Sequence, residues 1–257
     1  MTQPNASSNV RAVERALQIL GCFDDKHTER GVSDIAQAVG LHKATTHRIV
    51  TTLVSYGYLE RAENGQRYRL GMRLANLGFL VMRRMDLRRE AMPIMTELAS
   101  RLDETCDLSV YNRGEVYFIE VVQGSRALTV AAAVGRSLPI HATASGKVIL
   151  AFVPEAESEA ALEEPMVAHT HRTITRPAEL RRQLEVVREQ GFAVDDEELE
   201  LGVRAVSAPV RDREGNVIGA LSVTCPTSRL PLNRVPSVGD EIRQAADAIS
   251  ARLGWHS

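Results

Sequence analysis

Ten residues from Lys43 to Thr52, KATTHRIVTT, hold two bases, a histidine and four threonines and contain no acid. On a helix, each residue advances about 100°. Thr46, Ile49, Val50 and Leu53 then form one stripe, at i, i+3, i+4 and i+7, that can bury against a neighbour. Ala44, Arg48 and Thr51 point the other way, with Thr45, His47 and Thr52 flanking and Lys43 at the helix start. Small side chains let a backbone approach the floor of a DNA major groove, hydroxyls bond phosphates or base edges, and Arg pairs bidentately with guanine. The same face also suits a merely solvated helix, so its neighbours must decide between the two.

The preceding residues supply a turn. Val10 to Phe23 carries Val13, Leu17, Ile19, Leu20 and Phe23 mostly at helical spacing, and Ser33 is positioned to cap a short second helix, SDIAQAV, that stops at Gly40. Only Leu41 and His42 then precede the basic helix, which runs to Leu53 or Val54, so a short glycine-containing turn joins two helices. After it, YGYLER and RYRLG flank AENGQ, whose Asn-Gly is a strong hairpin signal. Three helices and a hairpin describe a winged helix-turn-helix. The candidate DNA contacts are Ser33, Lys43, Ala44, Thr45, Thr46, His47, Arg48, Thr51 and Thr52, with Arg61, Arg67 and Arg69 on the wing.

Charge is segregated in the same sense. Residues 1–85 hold 12 Lys and Arg against 7 Asp and Glu, and the rest 19 against 26, so a +5 head precedes a −7 remainder behind a net charge of −2. A basic module joined to an acidic one suits a polyanion-binding head. At 257 residues the chain accommodates two cores. No apolar run reaches the roughly 20 residues of a membrane helix. The polar start MTQPNASSNV lacks a signal-peptide core, which gives a cytoplasmic expectation and no membrane partner. Cys22, Cys106 and Cys225 are scattered without a CxxC pair and are read as buried thiols.

MRLANLGFLVMRRM, 72–85, reads as a helical connector with Leu74, Leu77, Leu80 and Val81 on one side, and from Asp86 the pattern changes. A long helix with Leu87, Met92, Ile94, Met95, Leu98 and Leu102 leads into LSVYNRGEVYFIEVV, two strands joined at Asn112-Arg113-Gly114, and then a strand ALTVAAAV. A helix opens near Thr143, and another runs from Pro177 to Gly191. FAVDDEE, VRAVSAPVRDREGNVIGALSVTCP and a helix from about Asp240 to Leu253 complete the chain. Strands and helices mix without strict βαβ alternation, which predicts an α+β fold: an antiparallel sheet with helices on its faces. The expected divisions are 1–71 for the winged helix-turn-helix, 72–88 for the connector and 89–257 for the second domain.

The sequence resembles the IclR-type transcriptional regulators. The resemblance rests on ERALQIL, SDIAQAVGLHKATTHRIVTTL, YRLG followed by LANLG, LPIHATASGK at 138–147 and GFAVDDEELELGVRAVSAPVRD at 191–212, nearly the whole chain. It implies a winged helix-turn-helix, a linker helix and a GAF-like effector domain, in dimers or dimers of dimers on pseudo-palindromic operator DNA. Two-fold symmetry would set two recognition helices roughly 34 Å apart, with Leu74, Leu77 and Val81 as candidate dimer contacts. It further implies a small organic acid bound between the sheet and HATASGK, where free amides of Ala144 and Ser145 at a helix start suit a carboxylate. The bland alternative leaves Thr143 an ordinary cap with those amides facing water. Matching the other pocket positions gives Asp195, Val203, Ala205, Ser222 and Thr224. Ser222 and Thr224 alternate with Leu221 and Val223 and share a strand face. Asp195 either accepts a ligand hydroxyl or belongs to a solvated acidic turn. Ala205 stands where some relatives carry a polar or thiol side chain, which disfavours a two-carbon keto acid. Leu128, Val130 and Leu138 offer an apolar wall, and hydroxy, keto, sugar or aromatic acids all remain open.

Two rivals compete. An enzyme could use Ser145 with His141, or zinc on His169 and His171, but no GxSxG, HExxH or P-loop pattern occurs, so no catalytic residue, metal site or cofactor is assigned. A thiol redox sensor would act through Cys106 or Cys225.

Overall fold

The computed structural model describes residues 10–24, 26–62, 65–83, 86–112, 115–126, 134–135 and 137–256. The chain divides into two compact units, Met1–Arg84 and Met85–Ser257.

In the first unit, α1 (Arg11–Gly21), α2 (Val32–Ala38) and α3 (Lys43–Ser55) accompany a small antiparallel sheet of β1 (Arg30–Gly31), β2 (Leu59–Arg61) and β3 (Arg67–Leu70), ordered β1-β3-β2. Its core is Ile19, Phe23, Ile35, Val50, Leu53, Leu59 and Tyr68. Gly40 turns the chain between α2 and α3 at φ 64, a left-handed conformation that costs glycine little. The cap of α2 differs from expectation. The helix begins at Val32 after Gly31, whose amide donates to the Asp34 carboxylate (3.1 Å), so Ser33 lies inside the first turn, exposed. Val13 and Leu17 on α1 also differ: with Val10 they stand exposed, while Ile19 and Phe23 carry the burial. α4 (Met72–Arg83) follows, with Leu74 half-buried and Met72, Leu77 and Leu80 exposed. The side chain of Val81 lies outside the description.

The second unit opens with α5 (Asp86–Leu102). Next come β4 (Thr105–Asn112) and β5 (Glu115–Val122), the expected hairpin, with Asn112 opposite Glu115. β6 (Ser137–Leu138), a 3-10 turn at Ile140–Ala142 and α6 (Ala144–Phe152) follow. Apart from Val134, the anticipated strand ALTVAAAV lies outside the described residues. α7 (Glu155–Leu162) was not anticipated. α8 (Pro177–Gln190) has its proline in the first turn and Gly191 at its end in the left-handed conformation (φ 79). β7 (Ala193–Asp196), β8 (Val203–Arg211) and β9 (Val217–Pro226) precede α9 (Val235–Arg252), which starts five residues before the anticipated Asp240 because Pro236 sits in its first turn. The six strands form one antiparallel sheet, β6-β5-β4-β9-β8-β7.

Register makes the two sheet faces chemically different. Thr105, Thr224, Ala205 and Asp195 lie opposite one another across β4, β9, β8 and β7, and so do Asp107, Ser222, Ser207 and Ala193. These rows share one face. The alternate residues, Cys106, Leu108, Leu221, Val223, Val206 and Ala208, are buried and apolar, as expected under α5 and α9, which pack on β4, β8 and β9. α6 covers the polar face. Its contacts with β7, β8 and β9, and the core it forms with Ala193 and Ala220, leave room beside its N-terminal end. Of the thiols, Cys106 and Cys225 are buried, whereas Cys22 is half-buried. No helix among the described residues is long and apolar enough to cross a membrane.

Candidate functional site

On α3, Lys43, Ala44, His47, Arg48, Thr51 and Thr52 are exposed and Thr45 is half-buried. Among the described residues no acid pairs with Lys43 or Arg48, so their charge faces solvent. Thr46 corrects an expectation. It is 0% exposed and its hydroxyl donates to His42 O (3.2 Å), so it anchors the helix and touches nothing outside. Thr52 is accessible, but its proton is committed to Arg48 O (3.0 Å), leaving only its oxygen as an acceptor. On the hairpin, Arg61 reaches Gly65 O (3.3 Å) and lies over the Tyr68 ring (5.6 Å), and Arg67 is exposed. Arg69 pairs with Glu60 (3.5 Å), which draws it along the sheet.

In the second unit, a cavity of about 240 Å³ lies between the polar sheet face and the start of α6. Leu138, Ala144, Ser145, Asp195, Val203, Ala205, Ser222 and Thr224 all line it, as anticipated, while Leu128 and Val130 lie outside the described residues. Six further lining residues escaped the sequence reading: Asp107, Phe118, Thr143, His169, Leu199 and Glu200. Thr143 does cap α6. Its Oγ1 accepts from the Gly146 amide (3.2 Å) and donates to Pro139 O (3.0 Å). Among the described residues the amides of Ala144 and Ser145 meet no protein acceptor, and both residues are buried beside the cavity rather than turned to bulk water. Gly146 is required for this arrangement, because a Cβ there would stand 2.0 Å from Ile140 O.

Asp195 is buried, not part of a solvated turn. Its Oδ1 accepts from the amides of Glu198 (2.7 Å) and Leu199 (3.4 Å), a loop that Glu197 permits by adopting φ 63. Burial pushes its carboxyl up to about 7 against the nearby Lys147 charge. Lys147 is itself 0% exposed, donating to Val194 O and pairing with Glu198. Asp196 and Glu197, next to Asp195 in the chain, are half-buried and ion-paired with Arg172 (2.8 and 3.4 Å), Asp196 also with the buried Arg204. Asp107 is buried on the cavity wall, accepting from Thr224 Oγ1 (3.1 Å), and burial lifts its carboxyl to about 6.

A larger hollow of about 470 Å³ lies between the end of α6, α7 and α8. Its two arginines are engaged, Arg181 by Glu159 (2.5 Å) and Arg188 by Ala151 O (2.6 Å), so the smaller cavity, with its two unmatched amides and its carboxyls, is the candidate site. His169 and His171 occupy a loop, with the His169 ring 5.9 Å from that of His141. Among the described residues no three His, Cys, Asp or Glu side chains converge as a metal site. Burial raises all three thiols, Cys225 to about 11, so at neutral pH the nucleophilic thiolate is scarce.

A helix-turn-helix with an exposed basic helix, and a second unit with a cavity that carries hydroxyls, carboxyls and free amides, define the build of a transcriptional regulator. Family models for the IclR helix-turn-helix domain and for the bacterial transcriptional regulator IclR C-terminal match residues 12–63 and 79–251. The chain belongs to the IclR family of transcriptional regulators, not to the enzymes. It is similar to the transcriptional regulators XynR and KdgR of Escherichia coli K12, at 39% identity over 96% of this chain and 98% of XynR, and 34% over 99% and 95% respectively. It is also similar to the crystal structure of an IclR homolog from Microbacterium hydrocarbonoxydans complexed with 4-hydroxybenzoate, at 33% identity and TM-score 0.80, covering 94% of this chain and 98% of that one.

Proposed function

We propose that the protein is a cytoplasmic regulator that binds a pseudo-palindromic operator as a dimer or dimer of dimers and releases or tightens its grip when a small organic acid occupies the second domain. In this reading residues 1–71 are the DNA-binding head, 72–88 the linker and 89–257 a GAF-like effector domain. Lys43 anchors phosphate and Arg48 reads a base edge. The effector carboxylate rests on the amides of Ala144 and Ser145, and the Ser145 hydroxyl adds a donor.

The observation that carries the reading is the cavity itself: set between sheet and helix, polar on the sheet side, and bounded at one end by two α6 amides with no acceptor among the described residues. A carboxylate satisfies them, and the 4-hydroxybenzoate of the Microbacterium homolog is such a molecule. Dimerisation draws support from exposed apolar residues at i, i+3 and i+7, Val10 just before α1 and Val13 and Leu17 on it, and from Leu77 and Leu80 on α4.

The test is to enrich genomic fragments on the purified protein, then titrate an enriched and a scrambled duplex with and without a panel of carboxylates. The expected result is selective binding of the enriched fragment that at least one acid shifts. No selectivity at moderate ionic strength would remove the regulator reading. Selectivity with no acid shifting either the DNA affinity or the melting temperature would remove the effector seat alone.

A further inference from the structure

One side chain on the cavity wall has no structural reason to be charged. Asp107 is 1% exposed and stands opposite Ser222 in the β4–β9 register. Thr224 donates to its Oδ2 (3.1 Å), whereas the Ser222 hydroxyl opposite it gives its proton to Ser207 Oγ (3.0 Å). Among the described residues no cation pairs with Asp107. A buried carboxyl in this state penalises the empty domain, whether it ionises without a counter-charge or takes up a proton. An amide of the same size would accept the Thr224 hydroxyl without that penalty. Groups that cost a fold stability are characteristic of binding sites.

Building on the effector-site reading above, we propose that Asp107 determines ligand specificity by accepting a hydrogen bond from a ligand hydroxyl, so that the domain selects hydroxylated carboxylic acids over acids of equal length without hydroxyls. The cavity joins two amides that attract an anion to three carboxyls, Asp107, Asp195 and Glu200, that repel one. A ligand carboxylate therefore has one orientation, with the rest of the molecule directed at acceptors. Those acceptors lie among the hydroxyls of Ser222 and Thr224, which can donate and accept in turn. A site built to bond a hydroxyl discriminates sharply against the analogue that lacks it, because its own buried acceptors then go unpaired.

The experiment is calorimetric titration of the full chain with matched acids: D-gluconate and D-galactonate against hexanoate, 4-hydroxybenzoate against benzoate, and 6-aminohexanoate as a cationic comparison. In the wild-type protein a hydroxylated acid should bind at least about 10-fold tighter than its deoxy partner. Asp107→Asn and Asp107→Leu should collapse that ratio towards one, the hydroxylated acids losing affinity relative to hexanoate and benzoate, with melting curves verifying that both variants fold. Equal affinity within both pairs, a ratio that survives in both variants, or tightest binding of 6-aminohexanoate would each overturn the role of Asp107 and leave the carboxylate seat standing. Absence of binding by every acid would instead overturn the seat, and this inference with it.

Discussion

Arg48 and Lys43 lie one and a half turns apart on the same helix, yet their chemistry separates them. Arg offers a planar fork that matches guanine, whereas Lys at a helix start is a point charge near phosphate. Arg48→Ala should therefore cost about 1–3 kcal/mol on the preferred duplex and little on scrambled DNA, while Lys43→Ala weakens both alike and lowers the salt slope by about one. Gel-shift titration at two salt concentrations distinguishes them, and equal losses on both duplexes for Arg48→Ala would exclude base reading. Asp107 yields a prediction in pH. Its folded value of about 6 exceeds the free value of 3.8, so between those limits the folded chain holds a proton that the unfolded chain releases. The contribution of Asp107 to stability is thus greatest below the free value and declines as pH rises through the folded one, by about 3 kcal/mol in all at about 1.4 per pH unit. Asp107→Asn should melt several degrees above wild type at pH 7.5 and show no such gain at pH 4. Calorimetry at both pH values reads this directly, and an equal or lower melting point at pH 7.5 contradicts it.

Between α6 and the β7 edge, one buried ion pair joins the cavity wall to the sheet: Lys147 to Glu198, supplemented by Val194 O. Removing one member strands the other, which typically costs about 3–5 kcal/mol, whereas replacing both with apolar groups is often close to neutral. Lys147→Met alone should destabilise the second domain strongly, and adding Glu198→Leu should recover most of the loss. Denaturant midpoints of the single and double variants test this, and a double variant no better than the single would show that Lys147 serves Val194 O rather than Glu198. Elements of this kind were unevenly legible in the sequence. The turn at Gly40, the hairpins, the Pro177–Gly191 helix and the shared face of Ser222 and Thr224 were readable because periodicity and cap residues are local signals. α7 was not, since its apolar side chains are three alanines and Leu162 in an acidic run. Asp107 was hidden between Cys106 and Leu108, its bonding partner Thr224 lying 117 residues away. Asp195 was ambiguous because its burial depends on a backbone turn at Glu197 that the run DDEE does not announce.

On the scale of the whole chain, a head of charge +5 precedes a remainder of −7. DNA affinity carried by the head should fall steeply with salt, because phosphate contacts release counter-ions. Binding of a small acid against the buried amides of Ala144 and Ser145 should change little with salt, since buried groups are screened weakly. The two sites can then be separated by ionic strength and their coupling measured. If an acid alters operator affinity by some factor, linkage requires that operator DNA alter the affinity for that acid by the same factor. Allosteric couplings of this kind typically reach about 5–150-fold, or about 1–3 kcal/mol. Titrating the acid into free protein and into protein saturated with an enriched duplex should give a ratio equal to the ratio of operator affinities with and without the acid. Unequal ratios at fixed salt and protein concentration would mean that the assembly changes with ligand, because only a shift between oligomers could supply the missing free energy. Sedimentation of the four states would then identify it, and exposed Leu17, Leu77 and Leu80 are the first surfaces to substitute. Leu17→Asp should reduce operator binding while leaving the effector affinity of the free chain unchanged, since α1 and the cavity belong to different compact units.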